Sequence, residues 1–178
     1  MSRRGQGGRQ TSKAADTYPD SSQFASAAAK AGLPTQPGKG ALDSAYRSMV
    51  EASAASLTAS LDMDQAFLRS EPQAPRWDYG IGIAEAGDLE KAFWLEPHPA
   101  SSTGEVQRML AKLEWLKAKL SLPQFAELRQ LTQRASADGN PVYIWLHSGA
   151  NRISPHSREA RLLASKGLSL PRRHVTLP

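Results

Sequence analysis

The chain contains no cysteine, and its apolar runs are short. The absence of cysteine excludes disulfide bonds, thiolate zinc sites and a cysteine nucleophile, and it is compatible with the reducing cytoplasm where we expect the protein. The longest apolar runs, at 81–84 and 142–146, fall far short of the roughly 20 residues that cross a bilayer. The basic amino terminus is not followed by the apolar stretch of a secretory signal. We therefore expect a soluble protein with no membrane partner.

Length and composition predict one folded domain preceded by a flexible arm. The 178 residues, 40% of them hydrophobic, suffice for a single modest core. Residues 1–40 combine Gly, Ser, Gln, Ala and Pro with few large apolar side chains, so they bury too little surface to offset their ordering entropy. We predict that 1–40 form a disordered basic arm containing at most a short helix at 24–31, and that 41–178 form one domain.

Charge is distributed unevenly along the chain. Residues 1–40 hold six Lys or Arg and two Asp, whereas 71–96 hold six Asp or Glu against two basic residues. From His147 to the end there are six Lys or Arg and one Glu. Basic ends around an acidic centre suit a metal-dependent enzyme that acts on a polyanion, although a solvated helix face and a basic tail give the same pattern. The candidate phosphate-binding residues are Arg152, Arg158, Arg161, Arg172 and Arg173.

Hydrophobic periodicity predicts the elements of the first half. Apolar residues recur at helical spacing over 42–67, which predicts a first long helix. Residues 77–83 alternate, with Asp78 on the face opposite Tyr79 and Ile81, as in a half-buried strand. Residues 91–98 supply the next strand, and the two strands most simply pair as an antiparallel hairpin.

The second half is predicted to be mostly helical. Ser102 and Glu105 have the spacing of a capping box and predict the start of a helix, and Pro123 opens another that runs through Leu131. The run 141–147 suits a central buried strand, 157–166 a helix ended by a glycine, and 174–177 a short closing strand. The predicted fold class is α/β (α+β), with a small mixed sheet flanked by helices.

The order of these elements and the placement of two acids resemble the PD-(D/E)XK nuclease superfamily. In that family a helix precedes a hairpin, one acid lies on the first of the two adjacent strands, a Glu-x-Lys motif lies on the next strand, and a helix follows. Asp78 in RWDYGIGI matches the first acid, and Glu96 in WLEPHPA matches the second. The resemblance implies a restriction-endonuclease-like core in which Asp78 and Glu96 bind Mg²⁺ or Mn²⁺, ions that prefer carboxylate oxygens.

The chain departs from this family at the motif lysine, because His98 stands in its place. A neutral histidine accepts a proton but brings no fixed cation to stabilise developing negative charge. Lys112, on the helix that follows, is the alternative source of that cation. The candidate catalytic residues are therefore Asp78, Glu96, His98 and Lys112.

Two functions follow from the sequence. The first is a metal-dependent nuclease that hydrolyses nucleic acid phosphodiesters and holds the backbone with its carboxy-terminal arginines. The second is a non-catalytic module on the same fold that binds nucleic acid or protein through its basic surface, which the missing lysine and Pro97 favour. A further alternative for Asp78 and Glu96 is a pair of exposed acids on a solvated sheet face.

Overall fold

A computed structural model of the chain describes residues 22–53, 55–85 and 89–178. The described helices are α1 (Gln23–Lys30), α2 (Ser44–Arg47), α3 (Met63–Leu68), α4 (Gly104–Ser121), α5 (Ala126–Ala137) and α6 (Arg158–Lys166). The described strands are β1 (Gln36–Pro37), β2 (Val50–Ala52), β3 (Ala55–Asp62), β4 (Tyr79–Glu85), β5 (Lys91–Pro97), β6 (Tyr143–Leu146) and β7 (Val175–Leu177). None of the helices in this part of the chain has the length and apolar content needed to span a membrane.

The main sheet has five strands in the order β1-β3-β4-β5-β6. Its neighbours are antiparallel except β5 and β6, which run parallel and are connected through α4 and α5. Strands β2 and β7 form a separate parallel pair. The predicted α/β class, the mixed sheet flanked by helices and the β4–β5 hairpin are confirmed.

The main sheet is buried on both faces. Tyr79, Ile81 and Ile83 of β4 lie on the face that packs against Val50 of β2 and Val175 of β7. The opposite face packs against apolar side chains from α1, α4 and α5. The residues of β4 and β5 whose side chains lie on the other side of these strands therefore point toward the helices rather than toward water.

Two glycines of β4 allow helix α1 to lie directly on the sheet. A Cβ atom at Gly82 would lie 2.4 Å from Cβ of Phe24, and one at Gly80 would lie 2.8 Å from Cζ3 of Trp94. Phe24 itself is 0% exposed. The alternation of glycine with isoleucine in this strand is thus explained by packing, since only glycine leaves room for the phenylalanine ring.

A buried carboxylate fixes the start of α1. Oε2 of Glu90 accepts hydrogen bonds from the backbone N–H of Phe24 at 2.8 Å, from Oγ of Ser22 at 2.9 Å and from Oγ1 of Thr58 at 3.2 Å. Acceptors at this position satisfy the free amides of the first turn and complement the helix dipole. The loop before β5 therefore supplies part of the cap of the amino-terminal helix.

The predicted arm was given the wrong boundary. Residues 1–21 lie outside the described residues, but 22–40 belong to the fold. The short helix predicted at 24–31 is confirmed as α1, and Gln36 of β1 pairs with Ser60 of β3. The small side chains of this segment suggested too little buried surface, but Phe24, Ala27 and Ala28 of α1 are buried in the core, and Phe24 packs on the glycines of β4.

The long helix predicted at 42–67 is wrong. Its residues form the four-residue helix α2, strands β2 and β3, and helix α3. Strand β3 contains a bulge between Leu57 and Ala59, which breaks the two-residue alternation that would have identified it. Pairing with β4 along its length overrides the helix propensity of its alanines.

The other predicted elements are found with small changes. Helix α4, helix α6 with Gly167 in a left-handed C-cap, and the closing strand β7 are confirmed. Helix α5 continues to Ala137 rather than ending near 131. Strand β6 is buried as predicted, but it is the last strand of the sheet rather than a central one. The backbone N–H groups of Ser169 and Arg172 donate to carbonyl groups on its free edge.

Candidate active site

Asp78 and Glu96 lie opposite each other at one end of the β4–β5 hairpin. Tyr79 pairs with Leu95, so Asp78, the residue before β4, falls directly across from Glu96. The backbone N–H of Asp78 donates to Oε2 of Glu96 at 2.9 Å. Asp78 shares the helix-facing side with Gly80, and Glu96 shares it with Trp94, because side chains alternate along a strand. Both carboxylates therefore point toward α4.

Lys112 of α4 reaches both carboxylates. Its Nζ donates to Oδ1 of Asp78 at 3.0 Å and also hydrogen-bonds Oε1 of Glu96. The Glu96 side chain is 0% exposed, whereas the side chains of Asp78 and Lys112 are 25% and 16% exposed. The alternative of two exposed acids on a solvated sheet face is therefore wrong, since the acids line a crevice between the sheet and α4.

The electrostatics of this group are dominated by burial. Burial raises the pKa of Glu96 well above its usual value, the charge of Asp78 adds to this rise, and Lys112 opposes it. The pKa of Asp78 is also raised by burial against the opposing effect of Lys112. Burial lowers the pKa of Lys112, but Glu96 and Asp78 more than offset this and raise it. Two acids thus share one ammonium, which leaves one formal negative charge uncompensated.

His98 lies beside this group and is held by Glu105. Nε2 of His98 is 2.7 Å from Oε2 of Glu105, and Nη1 of Arg108 binds the same oxygen at 3.2 Å. The backbone oxygen of His98 accepts from Nε1 of Trp145 at 2.8 Å. The predicted capping box is wrong in its contacts: the helix begins at Gly104, its N-cap makes no side-chain bond, and Glu105 turns to His98 instead.

Two further acids lie near Asp78 and were missed in the sequence. The backbone N–H of Met63 donates to the carbonyl of Asp78 at 2.7 Å, which places the start of α3 against the site. Asp62 caps this helix through Gln65, and Asp64 forms an ion pair with Nε of Arg76 at 2.9 Å. The DMD sequence at the end of β3 offers these two acids, but the segment was predicted to be helical. Both acids already have partners.

The five arginines fall into two groups. The backbone N–H of Arg172 donates to the carbonyl of Trp145 at 3.0 Å, and that of Arg152 donates to the carbonyl of Ala100 at 2.9 Å. Arg152, Arg172 and Arg173 thereby lie near the end of the sheet where β5 and β6 finish. Arg158 and Arg161 are exposed on α6. Within the described ranges, none of the five makes a salt bridge with an acid.

No protein family, curated protein or solved structure matches the chain. Across 22–53, 55–85 and 89–178, the side chains of His, Asp and Glu form no group of three or more that is arranged to hold a metal. Asp78, Glu96 and Lys112 are thus a group of two acids and one cation.

Proposed function

We propose that the protein is a divalent-metal-dependent nuclease with a PD-(D/E)XK-like core. The observation that carries the proposal is the convergence of Asp78, Glu96 and Lys112 within hydrogen-bonding distance, from two adjacent strands and the helix that follows them. These are the residue types that the resemblance implies. The lysine comes from α4, and His98 occupies its place in the strand motif.

The element order supports the same proposal. An antiparallel hairpin carries one acid before β4 and the other on β5, and α4 follows directly. A helix, α1, precedes the hairpin as the resemblance requires, although it is not the helix at 42–67 that the sequence suggested. Glu51, which the helix predicted at 42–67 would have carried, lies exposed on β2 and has no place in the proposed site.

The donor set fits Mg²⁺ or Mn²⁺ in chemistry and in number. Asp78 and Glu96 would hold the ion, and both offer hard carboxylate oxygens at a point where the protein already binds a cation, the ammonium of Lys112. Mg²⁺ is commonly bound by one or two carboxylates, with water and substrate phosphate completing the shell. When bound, such an ion activates water and stabilises charge on a phosphoryl oxygen.

The remaining groups of the site would act on the phosphate and on the attacking water. The ammonium of Lys112 would stabilise negative charge that develops on the phosphate. Nε2–H of His98 donates to Glu105, which leaves Nδ1 as the ring nitrogen that would accept a proton from water. Arg152, Arg172 and Arg173 would bind the phosphates that flank the reacting one.

The nuclease proposal predicts cleavage that requires a divalent cation. We expect the purified protein to cleave labelled DNA or RNA in millimolar Mg²⁺ or Mn²⁺ and to lose all cleavage when EDTA is added. Gel analysis of single-stranded and double-stranded substrates would also reveal the preferred nucleic acid. Cleavage that persists in EDTA, or no cleavage of any substrate with either ion, would reject the proposal.

A second candidate, a binding module without catalysis, is favoured by the position of Lys112 between the two acids. The ammonium hydrogen-bonds both carboxylates, so the three groups are held together without a metal. In that case the basic surface alone carries the function. Binding of nucleic acid or an acidic protein without turnover would distinguish this candidate from the enzyme.

Both the nuclease and a nucleic-acid-binding module would use the arginines near the end of β6 to bind phosphate. Replacing Arg152 and Arg173 by serine should weaken binding to DNA or RNA and reduce the slope of log K against log salt by about two, because each phosphate contact contributes about one. Fluorescence anisotropy across a salt series measures this.

The matched control for this arginine experiment is Lys166→Ser. Lys166 is exposed near Leu168, which pairs with Tyr143 at the opposite end of β6. This substitution should leave the slope unchanged. An equal loss in the control would show that overall charge, and not this surface, determines binding.

A further inference from the structure

The cation position between Asp78 and Glu96 is already filled by the protein itself. Nζ of Lys112 contacts one oxygen of each carboxylate, and the other oxygen of Glu96 accepts the backbone N–H of Asp78. The oxygen of Glu96 that is not held by the backbone is therefore the one that Lys112 holds. A metal ion that binds this oxygen of Glu96 together with Oδ1 of Asp78 would occupy the position of the ammonium.

The charges of the group make it energetically unfavourable for a divalent ion and the ammonium of Lys112 to lie between the two acids at the same time. Two carboxylates balance two positive charges, whereas a divalent ion together with the ammonium brings three. Glu96 is fully buried, and Lys112 is largely buried, so like charges this close repel strongly in a medium of low polarity. The ammonium of Lys112 can move away from the acids, because the lysine side chain is flexible and is partly exposed to solvent.

We propose that Lys112 is a displaceable internal counter-ion, which competes with divalent cations for Asp78 and Glu96 and so sets the metal concentration at which the site loads. This inference rests on the proposed function and adds its regulation. Without metal, the ammonium offsets part of the negative charge of the two acids and stabilises the fold. With metal, the ammonium is released to the edge of the crevice, where a substrate phosphate would be its next partner.

The test removes the competing cation and measures metal binding directly. We expect Lys112→Met to bind Mn²⁺ at least tenfold more tightly than wild type in isothermal titration calorimetry. In EDTA its Tm should fall by on the order of 10 °C, because a buried carboxylate has lost its partner. Mn²⁺ should then raise the Tm of this variant more than that of wild type.

Two controls keep the result specific to this crevice. Lys117→Met changes a lysine on the same helix whose ammonium contacts the carbonyl of Lys166, and it should leave Mn²⁺ affinity unchanged. The double variant Lys112→Met/Glu96→Gln should regain stability in EDTA and lose the added response to Mn²⁺. Should Lys112→Met fail to fold in EDTA or in Mn²⁺, the affinity of Lys112→Gln, which retains a hydrogen-bond donor, decides the question.

The inference and the proposed function fail in different ways. Mn²⁺ affinity that is equal or weaker in Lys112→Met and Lys112→Gln overturns the competition, even if wild type cleaves nucleic acid. Tighter binding in the variants supports the competition, even if wild type cleaves nothing. Cleavage assays test the nuclease activity, and calorimetry tests the competition between Lys112 and the metal.

Discussion

Replacing Asp78 by asparagine is expected to reduce nucleic acid cleavage by roughly 10³-fold. Each factor of ten corresponds to about 1.4 kcal/mol of transition-state stabilisation, and a metal that polarises a phosphoryl group supplies several kcal/mol. Asparagine keeps an oxygen that can accept from Lys112, so the geometry of the crevice should persist while the negative charge is lost. Single-turnover cleavage rates in saturating Mg²⁺ measure the effect.

The comparison that makes this result informative is Glu114→Gln. Glu114 is exposed on the same helix as Lys112, and its removal also deletes one carboxylate from the protein. Its cleavage rate should equal that of wild type. The nuclease mechanism is wrong if Asp78→Asn keeps the wild-type rate while circular dichroism shows an intact fold, and the binding-module candidate would then remain.

The second large effect is expected in the core, at Phe24. Substitution of this fully buried ring by alanine should lower the free energy of unfolding by about 3–5 kcal/mol, the usual cost of deleting a core phenylalanine. The loss should be at the upper end because Gly80 and Gly82 have no side chains that could fill the cavity. Urea denaturation followed by tryptophan fluorescence measures the change.

Ser26→Ala provides the reference for Phe24→Ala. Ser26 is exposed on the same helix, two residues away, and alanine favours helix formation, so its stability should change by less than about 0.5 kcal/mol. A Phe24→Ala variant as stable as wild type would mean that α1 is not an integral part of the domain. The flexible arm predicted for 1–40 would then have been correct in solution.

Local signals accounted for much of the fold. The glycine and isoleucine alternation of β4, the short apolar run of β5 and the Gly167 stop of α6 each specify an element without reference to distant parts of the chain. The segment 42–67 could not be predicted in this way. Its strand pairs with β4, some 20 residues later, and the bulge after Leu57 removes the period by which a strand is recognised.

The part of the site that depends only on strand geometry could be predicted from the sequence. Alternation places Asp78 and Glu96 on one side of a hairpin, and pairing places them opposite each other. Their burial was not predictable, because it depends on how α4 docks on the sheet. The same docking decides which of the lysines of α4 enters the crevice, and it brings Glu105 to His98 rather than to its own helix terminus.

Glu90 makes the first helix of the chain depend on groups that are synthesised much later. Part of the cap of α1 comes from residue 90, and Nη1 of Arg134 contacts Oε1 of Gln23 at 3.0 Å and the carbonyl of Glu90 at 3.3 Å. While the chain is still emerging from the ribosome, Phe24 lacks both the glycines of β4 against which its ring packs and the carboxylate of Glu90 that accepts its N–H. We therefore expect the amino-terminal helix to be captured only after the hairpin has closed, so that the order of docking does not follow the order of translation.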